Sequence, residues 1–127
     1  MAQSVQDLIV WQRSIELTVS IYKLTRSFLK DELYGLTSQM RRASVSVSSN
    51  IAEGRGRLNP AEFRQFLGFV QGSVFELKTH LLVARRLGMG EVEALKEAET
   101  LGEEASKMLG SFIEKLHPPT KRLKAES

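Results

Sequence analysis

Apolar residues recur every three to four positions along most of this chain, which is the spacing of an amphipathic α-helix. The pattern predicts four helices, over about residues 6–28, 33–57, 60–87 and 91–116. Each of the last three has one apolar stripe and an opposite polar face, so each has one side to bury. The stripes hold Leu33, Leu36, Met40, Ala43, Val47 and Ile51; then Phe63, Phe66, Leu67, Val70, Val74, Leu77, Leu81 and Ala84; and finally Leu95, Ala98, Leu101, Ala105, Met108, Leu109, Phe112 and Leu116.

The predicted helix ends coincide with residues that start or stop helices. Asn59-Pro60 suits a helix start, Gly88-Met89-Gly90 suits a turn, and Pro118-Pro119 ends the last helix. Because the connections are short, consecutive helices should lie antiparallel. The sequence therefore predicts an all-α fold, an antiparallel up-and-down four-helix bundle over residues 1–119, followed by a flexible basic tail at 120–127.

The first helix is apolar on two opposite sides. One side holds Leu8, Trp11, Ile15, Val19 and Tyr22, and the other holds Val10, Leu17, Ile21, Leu24 and Phe28. A bundle offers each helix one core-facing side, so we interpret the second group as a subunit interface. Phe75 and Leu82 lie off the main stripe of the third helix and support the same interpretation. The alternative is that wide neighbouring helices cover both sides. The pattern thus favours a homo-oligomer.

Length and composition are those of one globular domain. The 127 residues are 42% hydrophobic and 26% charged, which excludes a natively disordered chain. The absence of cysteine excludes disulfides and thiolate metal sites. No segment resembles a signal peptide or is long enough to span a bilayer, so we expect a cytoplasmic protein without a membrane partner.

Charge is unevenly distributed, although the net charge is only +3. Residues 1–86 carry 12 basic and 7 acidic side chains, residues 87–116 carry 3 and 7, and residues 117–127 carry 3 and 1. In an up-and-down bundle, the second connection and the end of the last helix share one pole, where basic residues collect. The candidate nucleic-acid contacts there are Arg55, Arg57, Arg64, Lys121 and Arg122.

Such a basic pole, repeated in an oligomer, would contact the phosphates of RNA or DNA in a salt-dependent way that does not read sequence. An ordinary solvated surface is the alternative. The aromatic residues fall on core stripes, so we expect no platform on which bases could stack.

A polar stripe runs beside the apolar face of the second helix and continues on the third. It comprises Gln39, Arg42, Asn50, Glu53 and Glu76. One interpretation is a ligand site. The favoured one is a structural network in which the two glutamates pair with Arg42 and Arg57, because an unpaired buried carboxylate is costly.

Motifs for metal binding or catalysis are missing from the sequence. Glu76 precedes His80 by four residues, not the three of the Glu-x-x-His motif of di-metal bundles, and no second motif occurs. The serines of the second helix lack a base with an orienting partner. Gly54-Arg55-Gly56-Arg57 matches no phosphate-loop fingerprint. We therefore predict no metal, no cofactor and no catalytic site, and hence a non-enzymatic protein.

Three ordered blocks of the sequence resemble a known family. The first is Asp7-Leu8-Ile9-Val10-Trp11-Gln12. The second is Leu36-Thr37-Ser38-Gln39-Met40-Arg41-Arg42-Ala43, followed by Ser46 and Asn50-Ile51-Ala52-Glu53-Gly54. The third consists of Phe66-Leu67, Gly72-Ser73, Glu76-Leu77 and Leu81-Leu82-Val83-Ala84. Over about residues 7–116, the chain is similar to the bacterial four helix bundle proteins, also called 23S rRNA intervening-sequence proteins. Ser48 stands where that family often has proline, so a proline kink is not expected.

The resemblance implies a bacterial, cytoplasmic four-helix bundle that assembles into a ring, typically a pentamer, without enzymatic activity. Some members are encoded within inserts in large-subunit ribosomal RNA genes. A more distant relative binds a reverse transcriptase and nucleic acid. Together with the basic pole, the resemblance favours a non-enzymatic oligomer that binds RNA or DNA. The alternative is a protein–protein scaffold or adaptor that does not bind nucleic acid.

Overall fold

Four α-helices make up most of residues 8–116, the part of the chain that the computed structural model describes. They are α1 (Ile9–Thr25), α2 (Ser38–Arg55), α3 (Pro60–Arg86) and α4 (Val92–Lys115), and no strand occurs within this range. The predicted all-α class and the number of helices are confirmed. The predicted tail at 120–127 lies outside the described residues.

Each helix packs against two others, which gives a four-cornered bundle. α1 contacts α2 and α4, and α3 contacts the same two helices, so α1 and α3 lie across the core from each other. Neighbouring helices run antiparallel. Along α1, for example, Thr18 lies 2.9 Å from the carbonyl of Ser44 in α2, while the later Thr25 accepts a hydrogen bond from the earlier Arg41. The up-and-down topology is the arrangement that short connections predict.

The packing of α1 reverses the prediction for its two apolar sides. The residues predicted to form a subunit interface are all buried within the single chain: Val10, Leu17, Ile21, Leu24 and Phe28. The opposite side is the one in contact with solvent, where Ile15, Val19 and Tyr22 are 37%, 48% and 38% exposed. Assigning the buried five to contacts between copies was therefore wrong.

Small polar residues explain why the apolar pattern of α1 does not indicate which side is buried within the chain. Ser14, Ser20 and Thr25 are buried beside the large apolar side chains. Two of their hydroxyls donate within the helix, from Ser14 to the carbonyl of Trp11 at 2.6 Å and from Thr25 to that of Ile21 at 2.8 Å. A hydroxyl satisfied in this way can be buried at little cost. These residues widen the buried face until it reaches both α2 and α4.

The junction between α1 and α2 is longer than predicted. α1 ends at Thr25, and a short 3₁₀ turn (Lys30–Glu32) and a wide π-type turn (Leu33–Thr37) precede α2. Gly35 has φ −107° and ψ −113°, which is not helical, and the Glu32 carboxylate accepts a hydrogen bond from the backbone N–H of Leu36 at 3.1 Å. The second helix therefore begins at residue 38, not at residue 33.

The other two connections form as predicted. The Asn59 side chain accepts from the N–H of Ala61 at 2.8 Å, with Pro60 in the first turn of α3. Between α3 and α4, Gly88 and Gly90 both have positive φ, 68° and 83°. Both angles lie in the left-handed region that glycine adopts most easily.

Gly54 lies at a close approach of two helices, α2 and α3. A Cβ placed on Gly54 would lie 2.6 Å from the Cβ of Phe66, closer than side chains ordinarily come. The core runs the length of the bundle from this region to Gly90, where an added Cβ would meet the Leu24 side chain at 2.5 Å. Within the described range, none of the helices combines the length and apolarity needed to cross a membrane.

Leu17→Ala tests whether this side of α1 belongs to the core of a single chain. The change should lower the free energy of unfolding by about 2–5 kcal/mol, because it removes buried methyl groups and leaves a cavity. Val45→Ala, at an exposed position of α2, is the matched control and should change it by about 0.5 kcal/mol or less. Urea denaturation followed by circular dichroism measures both. An unchanged unfolding free energy for Leu17→Ala would restore the interface assignment.

Candidate nucleic-acid interface

The bundle brings the three predicted arginines of the basic pole to one end. Arg55 and Arg57 come from the end of α2 and its connection to α3, and both line a cavity of about 270 Å³. Arg64, in the first turns of α3, bonds to Leu116 at the end of α4, which lines the same cavity. Lys121 and Arg122, the other two candidates, lie outside the described residues.

Arg55 and Arg57 each lie over an aromatic ring. The guanidinium carbon of Arg55 is 5.8 Å from the ring centre of Phe63, and that of Arg57 is 5.1 Å from the ring centre of Phe66. Arg57 also pairs with the Glu53 carboxylate at 3.3 Å, whereas no described carboxylate lies within ion-pair distance of Arg55. The rings hold both cations at the surface. The donor edge of Arg55 is left available to an anion, whereas Arg57 shares part of its donor edge with Glu53.

Arg64 has a structural task that the sequence did not reveal. Its Nη1 donates to the backbone carbonyl of Leu116 at 3.0 Å, at the C-terminal end of α4. The last carbonyls of a helix lack partners within the helix, and a cation there also suits the helix dipole. The two residues are 52 positions apart, so no local pattern could have predicted the contact. Arg64 therefore contributes charge to the pole but is partly occupied.

One exposed ring stands beside these arginines. Phe66 packs edge to face with Phe69, with ring centres 5.9 Å apart, and Phe69 is 55% exposed. The expectation that all aromatic residues lie on core stripes is wrong for Phe69, as it is for Phe75 further along α3. A single ring differs from the succession of rings that stack consecutive bases in single-strand binding grooves.

The residues of the predicted polar network do not form a buried network with one another. Gln39, Arg42, Glu53 and Glu76 are exposed, and the amide nitrogen of the half-buried Asn50 donates to the carbonyl of a residue in its own helix. Glu53 does pair with an arginine, as predicted, through the exposed contact to Arg57 described above. The prediction for Glu76 is wrong, since its carboxylate faces His80 at 3.6 Å. The direct polar contact between α2 and α3 is instead a hydrogen bond between the hydroxyls of Ser46 and Ser73, at 2.6 Å.

His80 lies buried at the junction of α2 and α3. Burial lowers the pKa of its imidazole below the ordinary 6.5; the carboxylate of Glu76 opposes this shift, and the nearby Arg42 guanidinium adds to it. The Nδ1 atom is buried without a hydrogen-bond partner among the described residues. A neutral ring is thus the form that this position favours.

The acidic residues of α4 bind neighbouring helices and do not gather into a site. Glu99 accepts two hydrogen bonds from Arg85 of α3, at 2.6 and 2.7 Å, and Glu103 pairs with Lys78 at 3.0 Å. These contacts hold the pKa of both carboxyl groups below its usual value. Within residues 8–116, no group of three or more histidine, aspartate or glutamate residues could hold a metal ion.

An apolar groove of about 590 Å³ lies between the start of α1 and the end of α4. No sequence pattern predicted it. Ile9, Met108 and Phe112 line it, with Lys107 and Lys115 at its side. These residues come from opposite ends of the chain, so only the antiparallel pairing of α1 and α4 brings them together. The groove opens close to the pole that carries Arg55, because Phe112 lines both cavities.

Comparison with known protein families places this chain. The model of a family described as 23S rRNA-intervening sequence protein matches residues 6–111, which is most of the sequence. The chain belongs to this family. The resemblance of the three sequence blocks is thereby confirmed.

A solved structure related to this 23S rRNA-intervening sequence family member shares its fold. It is the crystal structure of a protein with unknown function from the S23 ribosomal protein family of Bacteroides thetaiotaomicron. The two chains are 25% identical, with a TM-score of 0.74, and the alignment covers 83% of this chain and 98% of the other. Among curated proteins, none matches this chain.

The pH dependence of stability tests the placement of His80 in this family member. Because its pKa is lowered in the folded state, the unfolded chain takes up the proton first as the pH falls. The free energy of unfolding should therefore be highest above the unfolded pKa of about 6.5 and decrease below it. His80→Gln should flatten this decrease between about pH 7 and about pH 5.

Urea titrations at a series of pH values measure the effect. Glu99 and Glu103 have lowered pKa values, so they affect stability at lower pH and do so equally in both proteins. The same slope between about pH 7 and about pH 5 in wild type and His80→Gln would show that the histidine is not held neutral by the fold.

Proposed function

We propose that this protein is a non-enzymatic, self-associating four-helix bundle that binds the phosphate backbone of RNA or DNA through the pole around Arg55 and Arg57. The observation that carries the proposal is the placement of these two arginines. They lie side by side at one end of the molecule, each over an aromatic ring, and Arg55 has no carboxylate partner in the described chain. Guanidinium groups held in this way suit phosphate oxygens, which they bind through two parallel hydrogen bonds.

Contact with the backbone is favoured over reading of bases. The elements around the cavity beside the arginines are helix ends and a short connection, not a helix that could enter a major groove. Phosphate contacts position a protein on nucleic acid without selecting a sequence. Affinity should then depend steeply on salt and only weakly on sequence.

Self-association would make such a weak site effective. In a homo-oligomeric ring, a pentamer in the form that the resemblance implies, the pole is repeated, and several weak contacts to one nucleic acid reinforce each other. Exposed apolar side chains on α1 and α3, Val19 and Phe75 among them, support association between protein surfaces.

A protein scaffold or adaptor without nucleic-acid binding is the second candidate. The same exposed apolar residues favour it, because they would serve a different protein partner as well as a second copy. The two candidates differ in one readout. Capture of one partner protein that persists after nuclease treatment, with no retention of RNA, supports the scaffold.

The double variant Arg55→Gln/Arg57→Gln tests the pole. Loss of two phosphate contacts should weaken binding to a short RNA duplex by on the order of tenfold or more at low salt. It should also reduce the slope of log affinity against log salt by about 2. Arg64 is left in place, since its bond to Leu116 stabilises the end of α4. Fluorescence anisotropy, with salt raised from about 0.05 M to about 0.3 M, gives both quantities.

Lys30→Gln/Lys96→Gln is the matched control, because it removes two positive charges from exposed positions at the opposite end of the bundle. It should leave both the affinity and the salt slope close to wild type. An equal loss in the two variants would mean that only net charge matters, and no loss in Arg55→Gln/Arg57→Gln would exclude the pole as the binding site.

A further inference from the structure

The outer side of α3 carries apolar residues that no part of the described chain covers. Phe69 and Phe75 are 55% and 51% exposed, and Leu82 and Val83 further along the helix are exposed to a similar degree. The two phenylalanines alone leave about 200 Å² of surface uncovered, given the 150–250 Å² that an aromatic side chain can bury. With Leu82 and Val83, this surface, here called the α3 face, reaches the size of patches that mark interaction sites.

Charge is nearly absent from the α3 face. Of the nine exposed residues between Gln65 and Val83, only Glu76 is charged. On α4, seven of the ten exposed residues are charged. Depletion of charge at the centre of an exposed apolar patch is the composition of protein interfaces, and α4 has the composition of a solvated surface.

Two glycines lie in the middle of the α3 face. Gly68 and Gly72 are one helical turn apart and exposed, and a Cβ added to either would meet no atom within 4 Å. In this respect they differ from Gly54, where the neighbouring helix leaves no room for a side chain. Glycine is a poorer helix former than alanine, so each of these residues weakens the helix. No contact within the described chain requires glycine at these two positions, whereas close packing of a second helix on this face would require it.

A complementary surface lies across the bundle on α1. Trp11, Ile15, Val19 and Tyr22 follow one another at intervals of three to four residues and form a row, here called the α1 ridge. The last three are substantially exposed, and Trp11 is half-buried. Since α1 and α3 lie on opposite sides of the core, the ridge of one chain cannot cover the glycine notch of the same chain.

We propose that the α1 ridge of one copy of this chain packs into the Gly68–Gly72 notch on the α3 face of a second copy. The inference rests on the proposed self-association and assigns the surfaces that carry it. One contact then accounts for both uncovered surfaces. Because it joins two different surfaces, it is a head-to-tail contact, which repeats from copy to copy and closes when the rotation between copies allows a ring.

Charges at the edges of the two surfaces are complementary. The guanidinium of Arg41 lies over the Tyr22 ring at 4.7 Å, and Arg26 is one turn beyond Tyr22 on the same side of α1. Glu76 lies one turn beyond Gly72 on α3, and Glu62 precedes Phe69 by two turns. Arg57, over the Phe66 ring, and Arg86, three residues beyond Val83, lie toward the two ends of the α3 face. Beside the notch itself, the basic ridge edge meets the acidic Glu76. This favours a second copy in the head-to-tail orientation.

Two single variants test the two surfaces by sedimentation velocity at micromolar concentration. Gly72→Leu fills the notch, and Val19→Glu puts a charge on the ridge; each should sediment as a monomer where the wild type is assembled. Gly110→Leu is the matched control on α4, since a Cβ there also meets nothing within 4 Å, and it should assemble like the wild type. Circular dichroism should show that Gly72→Leu is folded, because leucine is the better helix former.

A mixture of the two variants gives the decisive result. Gly72→Leu retains its ridge and Val19→Glu retains its notch, so an equimolar mixture should form a dimer with one contact and grow no further. Restored dimers in the mixture, with each variant monomeric alone, support the proposal.

Other outcomes overturn it in distinguishable ways. A monomeric wild type refutes self-association and this assignment together. A wild type that assembles, with Gly72→Leu assembling equally well, refutes the assignment alone. Loss of assembly in Gly72→Leu but not in Val19→Glu refutes the ridge and leaves a contact between two α3 faces. No dimer in the mixture refutes the head-to-tail pairing.

Discussion

Burial of α1 between α2 and α4 is the constraint on which the rest of the structure depends. Leu17, Ile21 and Leu24 are removed from water completely, and each such side chain stabilises the fold by about 1.5–3 kcal/mol. The buried hydroxyls of Ser14 and Thr25 beside them are satisfied within the helix, and these small residues allow close contact on both flanks. Because this side of α1 is turned inward, the opposite side is left at the surface. The core thereby decides which residues are available to a partner.

The same packing assembles the basic pole. The antiparallel order places the end of α2, the start of α3 and the end of α4 together, and Arg64 joins the last two through the carbonyl of Leu116. Close contact at Gly54 fixes where α2 ends relative to α3, and hence where Arg55 and Arg57 emerge. The pole therefore contains Arg64, which forms a structural hydrogen bond, and Arg55, which has no carboxylate partner among the described residues. A count of charges does not distinguish the two.

Helix number, class and topology could be predicted because they follow from spacing and from residues that end helices. The orientation of α1 could not, since its two sides are similarly apolar and the deciding residues, Ser14, Ser20 and Thr25, count as polar in any hydropathy pattern. At the pole, the grouping of Arg55 with Arg57 follows from their adjacency. The cap formed by Arg64 depends on a contact between distant parts of the chain, which periodicity does not encode.

The ion pairs along α4 have a consequence for how a charged molecule approaches this protein. Glu99 and Glu103 neutralise Arg85 and Lys78 on the flank between α3 and α4, so basic and acidic charges cancel there over short distances. The field of a neutralised pair falls off quickly with distance, whereas a cation with no carboxylate partner among residues 8–116, such as Arg55, acts further into solution. Under the proposed function, a polyanion arriving by diffusion would be turned toward the end of the bundle before it touches the surface. In such an encounter, the cancellation of charge on the flanks would contribute to the orientation as much as the uncompensated charge at the pole.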